Sequence, residues 1–160
     1  MNKKKLLDLI IRQLSADLAV LFQAAKTAHA ASTHEESIPD NEYDTLALEA
    51  SYIAQAQANR AQEIKAALAS YRSLALRHFD EDSPIRLTAL VTMQGEDGAR
   101  KLVFMGPQAG GLKIRVDGNE VIIITPHSPV GKALLGKTVG EVVGLRSDDL
   151  ETEFEIVEVC

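Results

Sequence analysis

Residues 34–44 read HEESIPDNEYD, a break with five acids (Glu35, Glu36, Asp40, Glu42 and Asp44), no Lys or Arg, and one proline near its centre. Its meaning depends on its flanks. On the N-terminal side Leu7, Ile11, Leu14, Leu18, Leu21, Ala25 and Ala28 follow one another at alternating steps of four and three. Beyond the break the rhythm resumes through Tyr43, Ala47, Ala50, Ala54, Gln57, Ala61, Ile64, Leu68, Tyr71 and Ala75. An apolar repeat of about 3.5 residues is the seam of a coiled coil. Two such runs joined by one short turn predict an antiparallel hairpin over residues 1–79 with both seams facing inward. Each arm of about 28 residues would be on the order of 42 Å long. The break is then the tip of a rod.

Charge gives that tip a character. Between Lys26 and Arg60 there is no basic residue, while Glu35, Glu36, Asp40, Glu42, Asp44 and Glu49 supply six negative charges. Lys3, Lys4, Lys5, Arg12, Arg60, Lys65, Arg72 and Arg77 lie toward the base. Such a gradient orients the tip toward a positive or metal-containing target and repels free nucleic acid, so independent DNA binding is not expected.

The second half obeys another grammar. All 10 glycines and four of the five prolines fall after residue 79. The segment DEDSP at 80–84 reads as a linker, and residues 85–160 as a separate domain. Alternating or continuous apolar runs at 86–93, 100–106, 112–116, 120–126 and 152–159 predict five strands, separated by turn signals such as DGN at 117–119. In SPVGKALLG, Ser128 is placed as N-cap, Pro129 as first helical residue and Gly136 as the stop of one short helix. The fold class expected is α+β: a helical hairpin followed by a small, mostly antiparallel sheet with one helix across it.

Composition excludes other classes. An apolar share of 46% supports a real core, which rules out a disordered chain. No apolar run approaches the roughly 20 residues of a membrane span. The basic start MNKKK lacks the uncharged core of a signal peptide, because Asp8 and Arg12 interrupt it, and a cytoplasmic protein without membrane partners is expected. Cys160 is the only cysteine, so neither a disulfide framework nor a cysteine zinc site is available. His34 has no second histidine at ligand spacing. SPVGKALLG lacks the spacing of a phosphate loop.

The stretch 106–145 resembles the C-terminal domain of the Gre transcript-cleavage factors of bacterial RNA polymerase. The resemblance rests on Ser128, Pro129, Gly131, Ala133, Leu134, Gly136, Lys137, Gly140 and Glu141, and a hairpin of matching size precedes it. It implies a sheet domain similar in fold to FKBP-type isomerases, docking at the rim of the polymerase secondary channel. It also implies a coiled coil that carries tip acids to the polymerase active site. On this resemblance Glu36 and Asp40 are the candidate acids, with Glu35 and Glu42 as substitutes. They would share magnesium with the polymerase and bind no cofactor of their own. RNA would be met only as the 3′ end inside the complex, and the factor would be an accessory, not itself an enzyme. Isomerase activity does not follow from the fold, and aromatics make up only 4% of the chain with no Trp to line such a pocket.

The tip departs from the family pattern Asp-x-x-Glu-Asn-x-Glu-Tyr. Asn41-Glu42-Tyr43 is one residue short, and aligning on Asn41 places Asp40 at the family's Glu but Ser37 at its Asp. Pro39 restricts Ile38 to extended conformations. A second reading therefore stands beside the first: a channel-binding regulator that modulates or inhibits transcription without stimulating cleavage. Asp40 or Asn41 as a cap of the second helix is the structural alternative.

Overall fold

The structure is a computed structural model. It describes the backbone of residues 1–35 and 41–160, and the side chains of these except at 25, 28, 29, 31–35 and 41–47. The chain divides into two compact units, Ile11–Ala69 on the one hand and Met1–Ile10 with Ser70–Cys160 on the other.

The first unit is built from α1 (Lys3–Glu35) and α2 (Asn41–Arg72). Asn2 begins α1 by accepting the N–H groups of Lys4 and Lys5 on its side-chain oxygen at 3.0 and 3.2 Å, which satisfies two of the helix's free donors. Within this unit Leu14, Ala61, Ile64, Ala67 and Leu68 are buried. On α2 the seam is observed from Ala50 to Leu68: Ala50, Ala54 and Gln57 are half-buried, and Ala61, Ile64 and Leu68 buried, while the side chains of Tyr43 and Ala47 lie outside the description. The Lys65 ammonium lies 5.7 Å from the centre of the Phe22 ring, a cation–π contact between the helices.

On α1 the seam runs as expected through Leu14, Leu18 and Leu21 but differs at its start, and the side chains of Ala25 and Ala28 lie outside the description. Leu6 and Ile10 are fully buried, whereas Leu7 and Ile11 are half-buried. The first ten residues belong to the unit of the sheet, so its core decides which face they bury. The second seam also stops early, since α2 ends at Arg72 and Ala75 is exposed.

The second unit holds a six-stranded sheet of order β3-β4-β2-β1-β6-β5. Its strands are β1 (Leu90–Gly95), β2 (Arg100–Met105), β3 (Lys113–Val116), β4 (Asn119–Ile124), β5 (Val142–Ser147) and β6 (Leu150–Val159), with α3 (Pro129–Leu134) between β4 and β5. All neighbours are antiparallel except β2 and β4, which run parallel because β4 returns between β3 and β2. The central strands are covered on both faces. Val91, Met93, Val103, Met105 and Ile124 join Leu134, Val143, Phe154 and Ile156 in one cluster. Their neighbours Leu90, Phe104, Val121 and Ile123 are also buried. Burial on both faces explains why these strands read as continuous apolar runs.

Asp117 (φ 50°) and Gly118 (φ 83°) form the tight β3–β4 turn that DGN signals. Two differences from the sequence expectation stand out. β1 begins at Leu90 and not at residue 86, because the buried Thr88 takes φ 76° and breaks the extended run. β5 was not expected at all; no strand was read between the short helix and residue 152, and Gly144 lies inside this one.

Candidate functional site

The residues that carry the family resemblance are the first place to look for chemistry. Ser128 caps α3 in an extended conformation (φ −69°, ψ 156°). Its hydroxyl accepts the Gly131 N–H at 3.1 Å and donates to the Thr125 carbonyl at 2.8 Å. Pro129 follows in the first turn, where its missing N–H costs nothing. A Cβ on Gly131 would stand 1.7 Å from the Thr125 carbonyl oxygen, so the helix approaches this strand end only through glycine. Leu134 is fully buried in the core and Ala133 is half-buried.

The second part of the pattern is equally occupied. Gly136 takes φ 81° and donates its N–H to the Ile85 carbonyl at 2.8 Å, while the Lys137 carbonyl accepts the Ile85 N–H at 2.8 Å. This pair of bonds ties the entry to the sheet domain to the end of α3. Gly140 takes φ 90°. The Glu141 carboxylate accepts the Thr138 N–H at 2.6 Å and faces the Lys137 ammonium at 3.8 Å. The Thr138 bond above all, and then Lys137, hold the Glu141 carboxyl below its ordinary range. Every residue of the pattern thus caps, turns, packs or closes a loop. The pattern specifies architecture.

Two further nodes fix the frame. The Tyr71 hydroxyl donates to the Gln108 carbonyl at 2.7 Å, and the Gln108 amide donates to the Ser70 hydroxyl at 3.2 Å. Burial pushes the Tyr71 phenol upward, partly offset by that hydrogen bond. The Lys3 ammonium donates to the carbonyls of Arg77 and, at 3.0 Å, Thr88, and stands 4.7 Å over the Phe79 ring. Burial lowers its pKa. Lys5 forms an ion pair with Asp117.

The acids singled out in the sequence are placed as follows. Glu36 and Asp40 lie outside the described residues. Glu35 is the last residue of α1 and Glu42 the second of α2, and their side chains lie outside the description. No pairing among these four carboxylates therefore belongs to the described structure. Among the described residues, no three or more His, Cys, Asp or Glu side chains are gathered as metal ligands, and no helix is long and apolar enough to cross a membrane.

Sequence reasoning passed over one feature of the hairpin unit. Val20, Phe22, Leu48, Tyr52 and Ile53 are exposed, Tyr52 by 67%. Their signal was legible: each is a large apolar residue off the 4-3 seam.

Residues 113–160 match the family model described as "Transcription elongation factor, GreA/GreB, C-term". Over that stretch, which is under half of the chain, the sheet domain is similar to the C-terminal domain of the Gre factors. Solved structures with a similar fold include the GreA factor homolog 1 (Gfh1) of Thermus thermophilus, 22% identical over 94% of each chain with a TM-score of 0.39. The Gfh1 of Thermus aquaticus is 25% identical over 92% of this chain and 89% of its own, at 0.42. A GreA/GreB elongation factor from Nitrosomonas europaea is 20% identical over 60% of this chain and 78% of its own, at 0.38. Superpositions this loose carry no argument about function. No curated protein sequence matches.

Proposed function

We propose that this protein binds bacterial RNA polymerase through its secondary channel and stimulates cleavage of backtracked RNA. The observation that carries this reading is a Gre-type sheet domain joined to a helical hairpin with no basic residue between Lys26 and Arg60. A thin hairpin with carboxylates at its turn suits entry into a narrow pore and delivery of hard oxygen ligands to a magnesium site. The exposed Val20, Phe22, Leu48, Tyr52 and Ile53 suit a hairpin that works inside a partner.

In this mechanism the polymerase is the catalyst and the protein an accessory. Magnesium shared with the polymerase would, when bound, supply charge neutralisation and lower the pKa of a water. Glu36 and Asp40 would supply carboxylate ligands for it and hold that water, with Glu35 and Glu42 as substitutes. RNA is met only as a 3′ end within the complex. The acidic turn disfavours separate binding to DNA.

The spacing of the tip acids favours a second reading. Glu36 and Asp40 are four residues apart with Pro39 between them, whereas the family pattern spaces its acids by three. A channel-binding regulator that modulates or inhibits transcription without stimulating cleavage follows if the two carboxylates fail to converge. A cleavage assay on stalled, backtracked elongation complexes separates the readings, using the wild type and Glu36→Ala/Asp40→Ala. Stimulated cleavage that disappears in the double variant is the expected result. Binding without cleavage at raised magnesium assigns the regulator, and absence of polymerase binding removes both.

A further inference from the structure

The sheet has two edges, and they are dressed differently. β3 at one end carries Lys113 and Arg115, both exposed, with Lys113 paired to Glu120 at 3.4 Å. Among the described residues β5, at the other end, pairs only with β6. The register Ser147↔Leu150 across a two-residue turn makes Ser147, Leu145 and Val143 the residues that exchange hydrogen bonds with β6. Val142, Gly144 and Arg146 then direct their N–H and C=O groups to the outer edge. Among the described residues none of these groups takes part in a backbone hydrogen bond outside the sheet. An edge of this kind is a template for another strand.

The surroundings specify what would fit it. Asp148, Asp149, Glu151, Glu153 and Glu155 are all exposed, and Arg146 is the only basic residue between 142 and 155. Glu151, Glu153 and Glu155 stand opposite Arg146, Gly144 and Val142 on the face away from the core. That row lies one strand, about 5 Å, in from the edge, within reach of Lys and Arg side chains on an added strand. Val142 is 57% exposed at one end of the edge and Leu150 73% exposed at the other. Pairing of β5 with β5 of a second copy would set two acidic rows side by side, which disfavours that occupant.

We propose that the β5 edge is a docking site for an extended, basic segment of a partner protein, which adds as a seventh strand. Main-chain bonds to Val142, Gly144 and Arg146 give affinity, and alternate Lys or Arg side chains over Glu151, Glu153 and Glu155 give selectivity. The proposal uses residues of the sheet unit alone and stands whether or not the protein stimulates cleavage.

The test uses the full chain and a short labelled peptide alternating Lys with Val, against a control alternating Glu with Val. The Lys peptide is expected to bind, more weakly as salt rises, and to slow amide exchange at Val142, Gly144 and Arg146. Gly144→Pro removes one outward N–H without breaking the β6 ladder and should weaken binding about threefold to tenfold. Glu151→Lys/Glu153→Lys/Glu155→Lys should abolish preference for the basic peptide even if the proline variant folds poorly. Equal binding of both peptides, unchanged exchange at β5, or indifference to the charge reversal would overturn the proposal. So would growth of the free protein into larger species with concentration, since that assigns the edge to a second copy, β3 against β5.

Discussion

The sheet domain and the hairpin carry their distinctive residues in different ways. In the sheet domain the residues that carry the family pattern are each committed to local structure, from the Ser128 cap to the Glu141 loop closure. In the hairpin the α2 seam is buried at Ala61, Ile64 and Leu68, and other distinctive features are exposed apolar side chains and a run without Lys or Arg. A dense sequence pattern can therefore mark a domain without marking its chemistry. The proposed chemistry lies in the segment whose pattern is weaker.

The largest effect expected from this contrast is at Gly131. Its absent Cβ would meet a backbone oxygen at 1.7 Å, and the oxygen belongs to Thr125, which is already held by Ser128. Gly131→Ala should destabilise the sheet domain by about 3–5 kcal/mol, as α3 must move off the core. Gly136, by comparison, has open space where its Cβ would stand but φ 81°. Gly136→Ala should cost only about 1 kcal/mol, the price of a left-handed backbone for a non-glycine residue. Urea unfolding midpoints measure both. Equal losses at the two positions would mean that close approach at Thr125 is not what selects glycine.

The same pair shows what was legible in sequence. Caps, stops and turns were readable because each rests on local chemistry: Ser128, Pro129, Gly136 and the Asp117–Gly118 turn appear where expected. The α2 seam at Ala61, Ile64 and Leu68 was readable because a helix repeats its environment every few residues. What failed depended on distant neighbours. The choice of Leu6 and Ile10 over Leu7 and Ile11 is made by the unit those residues join, and the parallel pairing of β2 with β4 has no local signature. β5 was hidden because a glycine facing Glu151 inside a strand looks the same in sequence as a glycine in a turn. The pairing of the tip acids rests on Glu36 and Asp40, which lie outside the described residues.

A middle-sized effect is expected at Tyr71, where the end of α2 meets the loop after β2. Tyr71→Phe removes the bond to the Gln108 carbonyl and should cost about 1 kcal/mol at neutral pH. The phenol adds a pH dependence. Burial raises its folded-state pKa above the ordinary 10.0. Below that value the tyrosine is protonated in both states and its contribution is fully present. As pH rises past it the unfolded chain gives up the proton first, so stability falls. Tyr71→Phe should therefore lose less stability than the wild type between neutral pH and the alkaline range, followed by chemical denaturation at several pH values. Parallel curves would show that Tyr71 is not the group responsible.

The smallest effect on stability is expected at Tyr52, and it tests the hairpin's side of the comparison. Tyr52 is 67% exposed and off the seam, so Tyr52→Ser should change unfolding free energy by no more than about 0.5 kcal/mol. If Val20, Phe22, Leu48, Tyr52 and Ile53 serve a partner, the same substitution should weaken polymerase binding by about tenfold, in the manner of an aromatic interface residue. Competition binding on elongation complexes, read beside the unfolding curve, separates the two quantities. A variant that keeps full affinity would make the exposed apolar residues ordinary surface. One that loses stability as well as affinity would place Tyr52 in the fold, and the division between a structural sheet domain and an acting hairpin would have to be redrawn at that residue.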